Sequence, residues 1–487
     1  MANRSLQWAS ILVIGFAILA LLPAFSISLG LPTEGDAVSY RVPILKWMLR
    51  HGTYPNWSWT YVDDYPMLGE LLMLPFFAIK ESLARIVPMF FYMASATFAA
   101  ALSLSIFPSQ MEERKKQFLF SFACSLSLHP LLLQSNAFMV DNIASTFSLA
   151  ALYFCLEKKT KLTIFSTAMA LATRYSVWGF FPGVFFANFR LKRNGYWMIA
   201  IALLGAAPFL LRNQILNQNP FFPLFQDWLY GQKVYSFDSW GRGKGLVAFL
   251  LFPFDLLFTN SFVNPFFDIP LKEEVRIFPY HFTLYTVGFF FQILVAAAVV
   301  VAIKEGRRSI GLNLKYIFLN PKFQATIIFM SCHFFTWWFG SQQLRFLGPE
   351  LLLTTSFLSV FLLRRSPKVL NLLVLSLGIC SIANVHLHSW KLAAGRIMPD
   401  REQAFVQEHL ACIQSLQLQA GEIVGLKNPA FILGYGNYDF MYLPPYPHYF
   451  PSRKVPDYLV DEALDKKISG YELWPRESPC AFRKVKD

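Results

Sequence analysis

The sequence predicts an all-α polytopic membrane protein with about eleven transmembrane helices, carrying a small extracytoplasmic α/β domain at its C-terminal end. Three observations carry that prediction. Of 487 residues, 55% are hydrophobic and only 15% charged, with a mean hydropathy of +0.40, a balance that soluble chains of this size rarely show. Apolar runs approaching the ~20 residues needed to cross a bilayer recur between residues 8 and 388. After Trp390 those runs stop. The formal net charge of +13 does not point to nucleic acid, because the basic residues sit in short clusters between apolar runs. That is the pattern that orients membrane proteins.

Arg4 precedes the first run, residues 8–29, which is too long for a signal-peptide core and reads as a retained span. The N-terminus is then cytoplasmic and the loop 33–66 lies outside. Within it, 36–52 reads as an interfacial helix. Asp36 is its N-cap, Gly52 its C′ residue, and Val38, Val42, Leu45 and Leu49 share a face, with a kink at Pro43. Tyr54, Trp57, Trp59 and Tyr61 follow, a composition suited to lipid headgroups. Residues 67–79 are apolar but short and read as half-inserted. A full span at 83–107 meets Arg114, Lys115 and Lys116 as an inside loop. Residues 118–135 lead out, and 143–156 lead back to Lys158, Lys159 and Lys161. Residues 162–173 and 177–189 form a short hairpin with Arg174 at its outer turn, returning to Arg190, Lys192 and Arg193.

Residues 196–211 go out again to a long outer segment, 212–280, whose apolar piece 246–258 lies in the interface. Residues 282–303 return to Lys304, Arg307, Arg308, Lys315 and Lys322. Then 323–339 lead out, 351–363 lead in to Arg364, Arg365 and Lys368, and 369–388 lead out. Every basic cluster falls on one side. Residues 1–388 thus form the membrane domain, with outer loops at 33–66 and 212–280. Residues 389–487 form the soluble outer domain, with strands at 422–426 and 431–435 and helices at 401–416 and 456–467. Cys124, Cys155, Cys332 and Cys380 fall in apolar runs as inert core residues. Cys412 and Cys480 either stay free or pair in an oxidising compartment, a bridge worth roughly 4 kcal/mol in the chain-entropy model.

With that topology the unusual polar groups collect at the outer rim. Four carboxylates, Glu34, Asp36, Asp63 and Asp64, lie in the first outer loop. Asp141 starts the fourth span, His129 ends the third, Arg174 is at the hairpin turn, Arg212 ends the seventh span and Arg345 lies between the ninth and tenth. Carboxylates beside arginines suit a lipid-linked phosphate, because guanidinium matches phosphate oxygens and a carboxylate can take a proton from an acceptor hydroxyl. Each residue also has a structural reading. Asp36 is an N-cap, at least one of Asp63 and Asp64 belongs to a solvated turn, Asp141 caps its span, and Arg174 and Arg345 snorkel to headgroups. His129 reads as packed, and His386 and His388 are too close for one helix face, so no metal site is read there. No HExxH, CxxC, GxSxG or P-loop occurs, so ATP-driven and hydrolase readings have no support.

Four places then resemble the GT-C class of membrane glycosyltransferases, which includes the protein O-mannosyltransferases and the bacterial aminoarabinose lipid A transferases. EGDAVSYRVPILKWMLRHG resembles the acidic motif opening a juxtamembrane helix. DDYPMLGELLMLP resembles the proline-leucine segment, with its double proline reduced to Pro66. MVDNIASTFSLAALYF resembles the segment with the second acidic residue, followed by a hairpin with a basic residue, here Arg174–Tyr175. LRNQILNQNPFFPLF and QLRFLGPELLL resemble later bacterial motifs. The likeness covers roughly residues 8–365.

The resemblance implies a polyprenyl-phosphate sugar donor and a lipid, glycan or protein acceptor, with transfer on the periplasmic or lumenal side of a bacterial inner membrane. It implies Asp36 and Asp141 as catalytic carboxylates, Arg174, Arg212 and Arg345 as phosphate ligands, and Glu34, Tyr40, Asp63, Asp64 and Tyr175 in substrate binding. Some members of the class require a divalent metal and others do not; Asp36 with Asp63 or Asp64 offers oxygen ligands for one. The competing readings are a lipid-linked glycan flippase, an O-antigen-type polymerase or ligase, and an inactive assembly subunit.

Overall fold

The computed structural model describes residues 41–53, 66–107, 111–128, 138–190, 196–221, 245–258, 291–304, 319–339, 344–365 and 373–379, single positions between 11 and 25 and at 131, 132 and 135, and five short strands between 424 and 484. The helices are α1 (Val42–His51), α2 (Leu68–Ile79), α3 (Ile86–Ile106), α4 (Met111–Leu126), α5 (Asp141–Leu156), α6 (Thr160–Thr173), α7 (Phe180–Arg190), α8 (Tyr196–Asn217), α9 (Leu246–Phe258), α10 (Phe291–Lys304), α11 (Pro321–Phe339) and α12 (Gly348–Arg365). Short 3-10 turns occupy Tyr175–Val177 and Leu344–Leu347. The chain divides into two compact units. One comprises Met1–Ile27, Arg85–Ala207 and Phe237–Lys391; the other comprises Ser28–Ala84, Pro208–Ser236 and Leu392–Asp487.

The core of the first unit is α3, α4, α5 and α12, with α6 against α5 and α7 against α11. Its contacts are made by small and hydroxylated residues. On α3, Ser95, Ala96, Ala99, Ala100 and Ser103 recur at helical spacing and are fully buried. Small side chains let backbones approach where lipid gives helices no hydrophobic reason to associate. Hydroxyls then join the helices. Ser95 Oγ lies 2.7 Å from Thr146 Oγ1, Tyr92 Oη donates to the Ser125 carbonyl at 2.9 Å, and Ser121 Oγ donates to Ser356 Oγ at 2.9 Å. Large apolar side chains point outward instead, among them Phe90, Phe165, Phe189 and Phe339. Such faces suit hydrocarbon. The segment Glu81–Ile106 is long and apolar enough to cross a bilayer, as no other helix among the described residues is by the same measure; α2 and α10 are apolar but shorter.

The hairpin of α5 and α6 turns through Lys158, whose φ of 62° is left-handed. α7 crosses α11 with almost no room between the backbones. A Cβ added at Gly183 would lie 2.5 Å from Phe329 Cα, and one at Gly179 would lie 2.2 Å from Thr336 Oγ1.

Several expectations shift. Arg114 and Lys115 stand exposed, and Lys116 half-buried, within α4 rather than in a loop. In the second unit, α1 ends at Gly52 as expected, with φ 63° and its N–H on the Met48 carbonyl. Pro43 falls in its first turn, where a missing N–H costs no intrahelical bond; the expected start of the helix at 36–40 lies outside the described residues. Val42, Leu45 and Met48 are buried, whereas Leu49, which shares their face, is exposed because it lies in the last turn, where Arg50 and His51 are exposed too. Burial pushes the Lys46 ammonium below its usual range; Glu81 opposes this and Arg50 adds to it.

The strands, also in the second unit, are β1 (Val424–Leu426), β2 (Phe440–Tyr442), β3 (Tyr458–Val460), β4 (Tyr471–Leu473) and β5 (Ala481–Lys484), in sheet order β2-β1-β3-β5-β4. β1 pairs in parallel with β2 and β3, while β5 runs antiparallel to β3 and β4. The strand expected at 422–426 coincides with β1. Within the helix expected at 456–467, Tyr458–Val460 is strand instead, and the rest of that segment lies outside the described residues. Tyr458-Leu459-Val460 favours extended backbone and sits between two partners, Val424–Leu426 and Ala481–Arg483, that supply its ladder. The segments 401–416 and 431–435, with Cys380, Cys412, Cys480 and His129, lie outside the described residues.

The α7–α11 crossing is directly testable. Gly183→Ala drives a methyl into the Phe329 backbone and costs about 1–3 kcal/mol. Gly245→Ala, which meets nothing within 4 Å, changes stability by about 0.5 kcal/mol or less. Denaturant titration of both variants in detergent measures the difference.

Candidate functional site

A chain of buried polar contacts joins five segments of the first unit. α6 ends at Thr173, and Arg174 is extended, with φ −165° and ψ 143°. That break turns the chain into Tyr175–Val177 and brings Arg174 back over the start of α5. There Arg174 Nη1 lies 3.0 Å from Asp141 Oδ1, both side chains being at least nine-tenths buried. The Phe346 ring covers the guanidinium, with Cζ 4.6 Å from its centroid. Tyr175 stacks edge-on against Trp178 at 4.9 Å, and Trp178 Nε1 donates to the Leu171 carbonyl at 2.8 Å. This pins the turn to the helix it leaves.

The same turn is held from its other side. His333 on α11 is fully buried. Its Nε2 lies 3.1 Å from the Ser176 carbonyl, and its Nδ1 lies 2.6 Å from Glu350 Oε1, in the first turn of α12. A carbonyl only accepts, so Nε2 carries a hydrogen. One further proton is shared between Nδ1 and Glu350, as imidazolium with carboxylate or as imidazole with carboxylic acid. The pair is neutral either way. Gly348, two residues before Glu350, closes the ring: a Cβ there would lie 2.7 Å from Ser145 Oγ, one turn beyond Asp141.

The ion pair is close but poorly directed. Asp141 and Arg174 are at contact distance without an aligned N–H···O bond, and both Asp141 oxygens lack a hydrogen-bond partner among the described residues. Asn142 Oδ1 and Glu350 Oε2 are in the same condition. Leaving buried acceptors unmatched costs about 1–3 kcal/mol each, so a cluster of them marks a place that a ligand or water completes. All of these oxygens lie in the first turns of α5 and α12.

Of the residues expected from sequence, Asp141, Arg174 and Tyr175 come together here. Asp141 does not cap α5: the cap position is Val140, and the carboxylate faces Arg174 instead. Arg174 does not snorkel, because Asp141 and Phe346 hold it inside. Arg345 lies in the 3-10 turn that carries Phe346, and its side chain is outside the described residues. Glu34, Asp36, Tyr40, Asp63 and Asp64 are outside them too. Among the described residues no group of three metal-ligating side chains occurs. In the second unit, Arg212 lies within α8 rather than ending a span, and Arg41 is ion-paired with Glu70, both almost fully buried. His333, Glu350, Phe346 and the Arg41–Glu70 pair were not anticipated. His333 and Glu350 stand in separate segments of the sequence, and no local spacing links them. Arg41 and Glu70 do lie inside the acidic-motif and proline-leucine segments, respectively.

Burial separates the ion pairs energetically. Asp141→Ala or Arg174→Ala strands an uncompensated charge and costs about 3–5 kcal/mol, with the double variant losing less than the sum. Glu157 and Lys322, paired at 2.7 Å but about one-third exposed, are a control: Lys322→Ala changes stability by about 0–1 kcal/mol. Chemical unfolding in detergent reads all four.

No family model matches the sequence, and no curated protein matches it. Solved structures do match. The apo structure of ArnT from Cupriavidus metallidurans aligns at a TM-score of 0.54 and 12% identity, covering 88% of this chain and 85% of that one. The structure of the same protein bound to undecaprenyl phosphate aligns at 0.56 and 11%, with the same coverage. At this identity the likeness speaks for architecture, and the chain has the fold of ArnT.

Proposed function

We propose that the protein is an integral-membrane glycosyltransferase that moves a sugar from a polyprenyl-phosphate donor to a lipid, glycan or protein acceptor on the periplasmic side of a bacterial inner membrane. The observation that carries this reading is the fold shared with ArnT, an aminoarabinose transferase, one of whose solved structures holds undecaprenyl phosphate. The buried Arg174–Asp141 pair supports it by supplying a fixed cation.

In this mechanism Asp36 takes the proton from an acceptor hydroxyl as its oxygen attacks the anomeric carbon. The bond from that carbon to the phosphate oxygen breaks, and polyprenyl phosphate leaves with the bonding electrons. A phosphate leaving group needs no proton, so its charge is met electrostatically. Arg174 is suited to meeting it, because Asp141 lies against its planar fork and the Phe346 ring covers it, which keeps the guanidinium in place before substrate arrives. Asp141 acts as the second acidic residue by positioning that fork. Arg212 and Arg345 are further phosphate ligands, and Glu34, Tyr40, Asp63, Asp64 and Tyr175 contribute to the substrate site. Should a divalent metal take part, Asp36 with Asp63 or Asp64 would hold it, neutralising phosphate charge.

The purified protein is expected to turn over at least one radiolabelled polyprenyl-phosphate sugar in detergent. Asp36→Asn, still monodisperse, is expected to lose about 10²-fold or more of that turnover. The same assay with a chelator reads metal dependence. Turnover of no donor, with lipid-linked glycan equilibrating across proteoliposomes, would replace the enzyme by a transporter.

A further inference from the structure

His333 and Glu350 belong to none of the motifs behind the proposed chemistry, yet they are buried side by side with every ring nitrogen engaged. What they bridge gives them a role. Through Nε2, His333 holds the Ser176 carbonyl, two residues after Arg174. Through Nδ1 it holds Glu350, four residues after Phe346, whose ring covers the Arg174 guanidinium. Between those two, Gly348 seats against Ser145, one turn beyond Asp141. One imidazole therefore ties the segment carrying Arg174 to the segment carrying its aromatic cover, and that second segment abuts the helix carrying its counter-ion.

We propose that His333 and Glu350 are a positioning pair, whose shared proton clamps the 174–178 turn and sets the direction in which Arg174 presents its guanidinium to an anionic phosphate. The proposal rests on the phosphate-binding reading of Arg174. The clamp works by geometry and not by charge, because the pair is neutral in either proton arrangement. It adds no net charge beside the arginine and leaves Asp141 as the close counter-ion found there.

That neutrality separates a clamp from a proton relay. In Glu350→Gln the amide can donate to Nδ1 while Nε2–H stays on Ser176, so the bridge survives without an ionisable group. In Glu350→Ala and His333→Leu it does not. Three readouts on the full-length protein in detergent test this. First, Glu350→Gln keeps kcat/KM for the donor within about threefold, while His333→Leu and Glu350→Ala lose roughly tenfold to a hundredfold, mostly in KM, as misplacement of a binding group predicts. Second, in an Arg174→Ala background His333→Leu changes kcat/KM by less than about twofold, because its effect passes through the arginine. Third, hydrogen exchange of amides 174–178 accelerates in His333→Leu by about tenfold or more, a readout that needs no donor.

Glu350→Gln as inactive as Glu350→Ala, a full additional loss in the Arg174→Ala background, or unchanged exchange at 174–178 would each overturn the clamp. An unmodified protein that turns over no donor would overturn the proposed function, and the exchange measurement would still decide the clamp.

Discussion

A guanidinium placed among packed helices has to be neutralised where it stands. Arg174 is nine-tenths buried and brings a positive charge into that setting. Asp141 supplies the opposite charge, but the rest of the first unit supplies the place. α5 has to start where it does, α6 has to end where it does, and the following turn has to reverse direction within three residues. Each condition is met by a separate local device: the extended Arg174 backbone, the Trp178 bond to Leu171, and the Gly348 seat on Ser145. For the phosphate-binding role proposed for Arg174, such a scaffold would avoid the reorganisation that a loop-borne arginine would undergo on meeting its ligand.

The packing that supports this arrangement is not that of a water-soluble core. Apolar volume is abundant everywhere, so it cannot specify which helix meets which. Specificity falls to groups that hydrocarbon penalises or that alter approach distance. These are the buried hydroxyls joining α3, α4, α5 and α12, and the glycines under α11. The same small and hydroxylated residues leave the large aromatics free to face outward, so one choice of side-chain size serves both the contact between helices and the contact with lipid.

Much of this was legible in the sequence because hydropathy and punctuation are local. Leu246–Phe258 and the end of α1 at Gly52 were readable residue by residue, as was β1. Arg174 and Asp141 could be singled out as costly charges beside apolar runs, though not paired, since their contact depends on where two helices end. The 456–467 segment misled because the ladder that makes Tyr458–Val460 a strand comes from Val424–Leu426 and Ala481–Arg483, which no local pattern announces. His333 is illegible for the same reason. A histidine in an apolar run reads as a packed residue until the carbonyl and carboxylate at its two nitrogens are known. Leu49 is exposed although it keeps the face of Val42 and Leu45, because periodicity gives a residue's direction and not where along the helix the packing stops.

The buried pairs also bear on how the chain is assembled. Asp141 and Arg174 sit at the open end of one helical hairpin, whose connection turns at Lys158. His333 and Glu350 stand on helices that likewise follow one another, only 17 residues apart. Each polar pair is thus completed by neighbours that leave the ribosome together, so neither partner waits in lipid for a distant segment. The link between the pairs, from His333 to Ser176 across 157 residues, is a hydrogen bond to a neutral carbonyl. Insertion can therefore proceed with each polar pair compensated by a helix close to it in sequence, the late, long-range step being the docking of these helices on one another.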